Sequence, residues 1–167
     1  YKITLMIIHV KNKNTLIIGD FTLKCCVGKN GVTSHKKEGD YSTPRGLFKL
    51  KKLYYRNDRV GSPKCKIKKK IITKNLGWCD DSAHKKYNEE IKVFNKETRE
   101  KFYRIDNKYD YIITINHNEK KVPFKGSAIF LHLTENYKPT AGCIALKKKN
   151  FEILLKLIDQ NTKIRIC

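Results

Sequence analysis

Short β-prone runs, each cut off by turn-forming residues, dominate this sequence and decide its fold class. Ile3–Val10 sets Ile3, Leu5 and Ile7 in alternation with Thr4, Met6 and Ile8. Thr15–Ile18, Phe21–Val27 and Leu47–Leu53 follow, and Tyr109–Asn116 is the strongest strand in the middle of the chain. Ser127–Leu133, Cys143–Leu146 and Thr162–Cys167 complete the set. Turns are expected at Gly28-Lys29-Asn30-Gly31, Gly39-Asp40 and Thr43-Pro44-Arg45-Gly46. There Gly supplies unusual backbone angles and Pro pre-sets its own. One segment has helical periodicity: Phe151, Leu154, Leu155 and Ile158 fall on one face, with Asn150 placed to cap its start and Asn161 to end it. A weaker helix is expected from about Lys96 to Tyr103, behind Asn95. No repeat, linker or composition break divides the chain. The expectation is a mainly β (α+β) fold in one domain over residues 1–167, an antiparallel sandwich or barrel with one or two packed helices.

Composition limits what such a domain can be for. A 40% hydrophobic and 10% aromatic content fits a folded globular chain. No apolar run approaches the roughly 18 residues of a membrane-spanning helix. Ile3–Val10 is short, carries Thr4 and His9 and lacks a small-residue cleavage site, so it reads as a strand and not as a signal peptide. The formal charge of +21 invites an anionic partner. Lys outnumbers Arg 31 to 6, however, and the runs Lys68–Lys70 and Lys147–Lys149 are short and carry no interleaved aromatics. The charge therefore reads as Lys spread over solvated faces, with no nucleic acid expected. Cys25, Cys26, Cys65, Cys79, Cys143 and Cys167 include no C-x-x-C pair, and Cys25 and Cys26 point to opposite faces of a strand. His9, His35, His84 and His117 have no partner at ligand spacing, and Cys79, Asp80, Asp81 and His84 do not repeat at zinc spacings. No metal site is expected.

Chemistry concentrates between Gly126 and Leu146, GSAIFLHLTENYKPTAGCIAL. Alternation puts Ala128, Phe130 and His132 on one face of a strand and Ile129, Leu131 and Leu133 on the other. Cys143 and Ala145 share a face of the next strand. A connection of about ten residues lets the two strands lie side by side and antiparallel, bringing imidazole and thiol together at one sheet end. That is what an activated cysteine requires: a thiol nucleophile beside a base that takes its proton and stabilises the resulting ion pair. Gly142 has no Cβ, so the chain can turn sharply and aim the amides of Gly142 and Cys143 at a developing oxyanion.

The segment resembles the catalytic stretch of the YkuD-type L,D-transpeptidases: a His, a spacer, then Ser/Thr-x-Gly-Cys and an apolar residue, here His132 and Thr140-Ala141-Gly142-Cys143-Ile144. Lys37-Glu38-Gly39-Asp40-Tyr41-Ser42-Thr43-Pro44-Arg45-Gly46-Leu47-Phe48 is similar to the family's E-G-D-x-x-T-P-x-G-x-F loop. Further similarities are Tyr55–Arg59, Gly77–Asp81, Tyr87-Asn88 and Tyr109-Asp110, so the resemblance runs from about Gly28 to Ile166. The chain departs from many members in having Ala141 where they carry a second His, and its spacer is shorter. The resemblance implies a YkuD-like fold and two-step acyl transfer. Cys143 would attack a peptidoglycan stem peptide, His132 would serve as base, and an amine or water would resolve the thioester, with no metal or organic cofactor. It also implies an envelope or periplasmic location. Candidate substrate contacts are Thr140, Arg45, Asp40, Trp78 and Tyr87, with Asp80, Asp81 and Asn88 also placed to line a groove. For Asp40, Thr43 and Arg45 a structural role is the first reading, Arg45 being the one suited to a carboxylate. A carboxypeptidase using the same site and a non-catalytic basic binding module are the competing readings.

Overall fold

In the computed structural model, which describes residues 5–94 and 100–167, most of the β-prone runs join one large sheet that curls back on itself. The elements in chain order begin with β1 (Ile7–Lys11), β2 (Thr15–Ile18), β3 (Phe21–Lys24), β4 (Val32–Thr33), β5 (Thr43–Pro44) and β6 (Gly46–Tyr55). Then come α1 (Asn57–Val60), β7 (Lys68–Ile71), β8 (Leu76–Trp78), β9 (Glu90–Lys92), β10 (Glu100–Lys101) and β11 (Tyr111–Ile115). The chain ends with β12 (Phe130–Leu133), β13 (Ile144–Leu146), α2 (Lys148–Leu157) and β14 (Lys163–Ile166). The main sheet runs β13-β12-β11-β6-β14-β1-β2-β3, with β7 also paired to β6. Its ends meet. Just past β3, Cys26 and Ala145 of β13 exchange two main-chain hydrogen bonds of 2.9 Å, and the Thr140 N–H reaches the Val27 carbonyl at 3.0 Å. A sheet whose edges pair in this way has the near-barrel form expected from the sequence.

Alternation sorts side chains to the two faces. Inside lie Ile8, Val10, Leu16, Ile18, Leu53, Ile113, Leu131, Ile144, Leu146 and Ile164, all fully buried. The one well-formed amphipathic helix, α2, adds Phe151, Leu154 and Leu155 to this core, and Phe151 stacks on Tyr111 at 5.4 Å between ring centroids. The other face of β11 and β12 is covered by the small antiparallel sheet β10-β8-β9. Phe102, which follows β10, is 0% exposed and meets Tyr54, Trp78, Tyr109 and Phe130 at centroid distances of 5.1, 6.2, 6.0 and 5.5 Å. Cys143 belongs to this second cluster and not to the main core.

Several local expectations are corrected. β12 and β13 pair parallel, not antiparallel, with Leu131 opposite Ile144 and His132 opposite Ala145. The connection does not turn back as a hairpin. It runs along Val27–Lys29, where the Lys29 N–H bonds the Thr140 carbonyl at 2.9 Å, and enters β13 from the far end. α2 starts at Lys148 after a Lys147 N-cap without a side-chain cap bond, and it ends before Ile158. Asn150 and Asn161 therefore do not cap it. Thr43–Gly46 is no tight turn: Thr43–Pro44 pairs parallel with β4, and Gly46 opens β6. The helix expected from Lys96 lies partly outside the described residues, and its latter part, Glu100–Lys101, is a strand paired with β8. The first strand is seen from Ile7 onward.

Phe102 seats the small sheet on the large one. Phe102→Ala should destabilise the protein by about 3–5 kcal/mol in urea unfolding. A loss below about 1 kcal/mol would mean that the aromatic cluster does not fasten the two layers.

Candidate active site

Parallel pairing decides how thiol and imidazole face each other. Cys143 stands just before β13, level with Phe130, whose N–H points at the sulfur at 3.4 Å. His132 is opposite Ala145, so the imidazole lies one side-chain repeat further along the same face. Both residues line one open cavity of about 550 Å³, and their exposures of 9% and 8% leave each in contact with it. The two are not hydrogen-bonded to each other in this state. The thiol donates to the Ala128 carbonyl at 3.2 Å. Ala128 itself has φ 53°, a left-handed angle uncommon for a residue with a Cβ. Its N–H is held by Asn88 Oδ1 at 3.2 Å.

His132 Nδ1 lies 2.8 Å from the Leu133 carbonyl. A carbonyl can only accept, so Nδ1 carries the hydrogen and Nε2 keeps its lone pair. Burial lowers the His132 pKa to about 4, the Leu133 bond opposing it only in part. Burial likewise pushes the Cys143 thiol up to about 12, against a smaller opposite effect of the Phe130 N–H. Burial thus favours a neutral thiol and a neutral imidazole in the resting pair.

The turn before Cys143 is braced by two threonine hydroxyls. Thr140 Oγ1 donates to the Cys143 carbonyl at 2.6 Å and accepts from the Gly142 N–H at 3.1 Å. The buried Thr43 hydroxyl donates to the Gly142 carbonyl at 2.7 Å and accepts from the Gly28 N–H at 2.9 Å. Gly142 has φ 146°, and a Cβ there would lie 2.9 Å from the Ser42 carbonyl oxygen, so close backbone approach also demands glycine. Of the two expected oxyanion donors, the Gly142 amide is thus occupied by Thr140. The Cys143 amide meets no acceptor among the described residues.

The remaining expected site residues divide. Thr140 lines the cavity while bracing the turn. Asp40 lies outside the lining and locks its own loop, paired with Lys36 at 2.5 Å and accepting from the Lys37 and Ser42 amides at 2.8 and 2.9 Å. Burial pushes the Asp40 carboxyl up, but Lys36 and these amides outweigh it and hold the pKa below the usual value. Arg45 is exposed and stands apart from the cavity. Trp78 and Tyr87 lie behind the cavity wall. The indole donates to Asn88 Oδ1 at 2.9 Å, and the Tyr87 hydroxyl donates to Glu38. Sequence reasoning missed Glu100 and Lys108 in the lining and quoted Glu38 and Tyr109 only within similar segments. Asn88, weighed there with Asp80 and Asp81 as groove lining, serves instead as a hub. Asn88 Nδ2 donates to the His117 and Asn118 carbonyls at 3.1 and 3.0 Å, while its oxygen accepts from Trp78 and Ala128. Asn88 in a turn was the available signal, since Asn tolerates the left-handed angle found there, φ 57°. Among the described residues no three His, Cys, Asp or Glu side chains converge as metal ligands.

The sequence matches the YkuD family, described as the L,D-transpeptidase catalytic domain, over residues 5–166. No curated protein matches it. Among solved structures it is similar to the helical cell shape determining protein Pgp2 from Campylobacter jejuni, at 17% identity and TM-score 0.55, covering 97% of this chain and 47% of that one. The K307A mutant of Pgp2 aligns at 18% identity and TM-score 0.55, covering 99% of this chain and 48% of the other. The chain thus spans about half the length of the structures it matches. At these identities the likeness concerns the fold.

The buried neutral imidazole makes stability depend on pH. His132 ionises near 6.5 when unfolded and at about 4 when folded, so between those values the unfolded chain binds more protons. The stabilisation is complete above pH 6.5 and is lost as pH falls to about 4, by on the order of 3 kcal/mol. Urea unfolding at pH 7, 5.5 and 4.5 should show this acid loss in the parent and a flatter profile in His132→Gln. Equal slopes would mean that the folded-state ring is solvated.

Proposed function

The chain belongs to the YkuD family of L,D-transpeptidase catalytic domains, and on that premise we propose that it is a cysteine acyltransferase acting on peptidoglycan stem peptides in the cell envelope. The observation that carries the reading is Cys143 and His132 on one face of two paired strands, opening into the same cavity, with Nε2 free to accept a proton. In the first step the sulfur attacks the carbonyl carbon of the L,D bond while its proton passes to Nε2. The oxyanion forms opposite the Cys143 amide, joined by the Gly142 amide if Thr140 releases it. Collapse breaks the C–N bond, Nε2–H protonates the departing amine, and a thioester remains. An acceptor amine then gives its proton to Nε2, attacks the thioester and expels the sulfur, which recovers the proton.

Transfer to an amine is the leading reading, and hydrolysis by water is the alternative at the same site. The resemblance in fold to a cell shape determining protein supports a part in cell-wall cross-linking or remodelling. The basic surface alone does not favour a non-catalytic module, since it leaves the paired thiol and imidazole unexplained.

A carbapenem should give one acyl adduct, located on Cys143 by mass spectrometry, absent in Cys143→Ala and formed about 10²–10⁴-fold more slowly in His132→Ala. An adduct on any other cysteine, or no effect of His132→Ala, would remove the assignment. With a tetrapeptide stem and a free D-amino acid, an exchange product marks transfer, whereas tripeptide alone marks hydrolysis.

A further inference from the structure

Tyr109, which the reaction scheme does not use, packs against the His132 imidazole. Its ring meets His132 edge-on at 5.3 Å, and it is 7% exposed in the same cavity lining as His132 and Cys143. Its hydroxyl donates to Glu100 Oε1 at 2.5 Å. Three alternate residues of one stretch bear on it together: the Glu100 carboxylate, the Phe102 ring at 6.0 Å, and the Arg104 guanidinium 5.1 Å from its ring centroid. Phe130, beside Cys143, closes the remaining side at 6.4 Å.

The imidazole needs such a neighbour. Its Nδ1–H bond to the Leu133 carbonyl fixes the tautomer but leaves one anchor on a ring that must aim Nε2 at a sulfur one side-chain repeat away. An edge-on ring wedged against it supplies the second constraint, and small errors of aim are costly to a proton transfer. Burial, then Cys143 and Glu100, hold the phenol neutral far above its usual range, so it keeps its hydrogen for Glu100 at working pH.

We propose that Tyr109 is the positioning residue of the base, holding the His132 ring toward Cys143, and that Glu100 sets Tyr109 through their hydrogen bond. The small sheet that delivers Glu100 is thereby coupled to the reactivity of His132. The inference rests on His132 being the base, as proposed above. The charges facing the ring are Lys108, Arg104 and Asp106, and its titratable neighbours are Tyr109 and Cys143.

Two measurements on the full chain test it. In NMR titrations, the parent His132 ring should stay neutral to about pH 4, and in Tyr109→Ala its titration should move toward 6.5. In carbapenem acylation of Cys143, Tyr109→Phe and Glu100→Ala should each slow the reaction about 10-fold at pH 7. Glu100→Gln, which keeps an acceptor for the phenol, should stay within about twofold of the parent. Tyr109→Phe and the two Glu100 variants carry the test if Tyr109→Ala fails to fold. Acylation unchanged in Tyr109→Phe overturns the proposal, as does Glu100→Gln slowed as much as Glu100→Ala, or a folded Tyr109→Ala with an unmoved His132 titration. The NMR arm reads His132 without catalysis. Loss of the enzymatic reading would instead appear as acylation that survives Cys143→Ala.

Discussion

One buried hydroxyl ties the molecule together at the point where chemistry is placed. Thr43 Oγ1 accepts from the Gly28 N–H and donates to the Gly142 carbonyl, and Thr43 is 0% exposed. Cys143 precedes its strand, so no ladder bond of β13 fixes the turn that presents the sulfur. The Thr43 bridge does so instead, with Thr140 on the other side of the turn. Removing it would leave two main-chain groups unpaired, at a cost of about 1–3 kcal/mol each. The same bridge explains why the Thr-Pro loop and the Gly-Cys segment occur in one sequence 99 residues apart: one is the brace of the other. Because Gly28 lies where the chain past β3 meets Thr140, the closure of the sheet and the geometry of the Cys143 turn are one structural event.

What could be read from the sequence follows from what is local. Strand faces were legible because alternation is a property of the chain itself. Phe130 faces one cluster and Leu131 and Leu133 the other, and Ile144 and Leu146 follow the same rule. The sense of pairing between β12 and β13 was not legible. About ten residues suffice either for a hairpin or for a return along Val27–Lys29, and only that distant segment selects the second. Cap residues misled for a related reason: α2 takes its start from the strand that feeds it, and Asn150 lies already inside it. At the site, thiol and imidazole were readable from type and spacing. Glu100 was not, and the contacts that Tyr109 and Asn88 make were not, because these residues arrive from turns and from the small sheet. Alternation from β11 would even put Tyr109 on the face of Tyr111, whereas the turn before the strand swings it to the face of Ile112.

Charge shows the same division between composition and site. Over the chain, 37 Lys and Arg stand against 16 Asp and Glu. In the cavity, Glu38, Asp80 and Glu100 meet Lys36, Arg104, Lys108 and Lys138. Lys36 is paired with Asp40 and Arg104 with Asp106. Burial raises the Asp80 pKa, and Glu100, Glu38 and Asp81 add to it, as expected where carboxylates crowd one wall. The strong positive charge of the chain is thus not focused on the sulfur, and composition carries little information about the chemistry.

A nearly balanced cavity suits a resting pair that holds no charge. With burial raising the thiol and lowering the imidazole, moving the proton alone from sulfur to nitrogen is uphill. A standing thiolate is therefore a poor description of the ground state. On the proposed reaction the proton would leave as the carbon–sulfur bond forms and negative charge moves onto an oxygen met by a fixed amide. The demand of that reaction falls on the aim of Nε2 more than on the acidity of sulfur, which ties the proposal to the packing of Tyr109 against the imidazole.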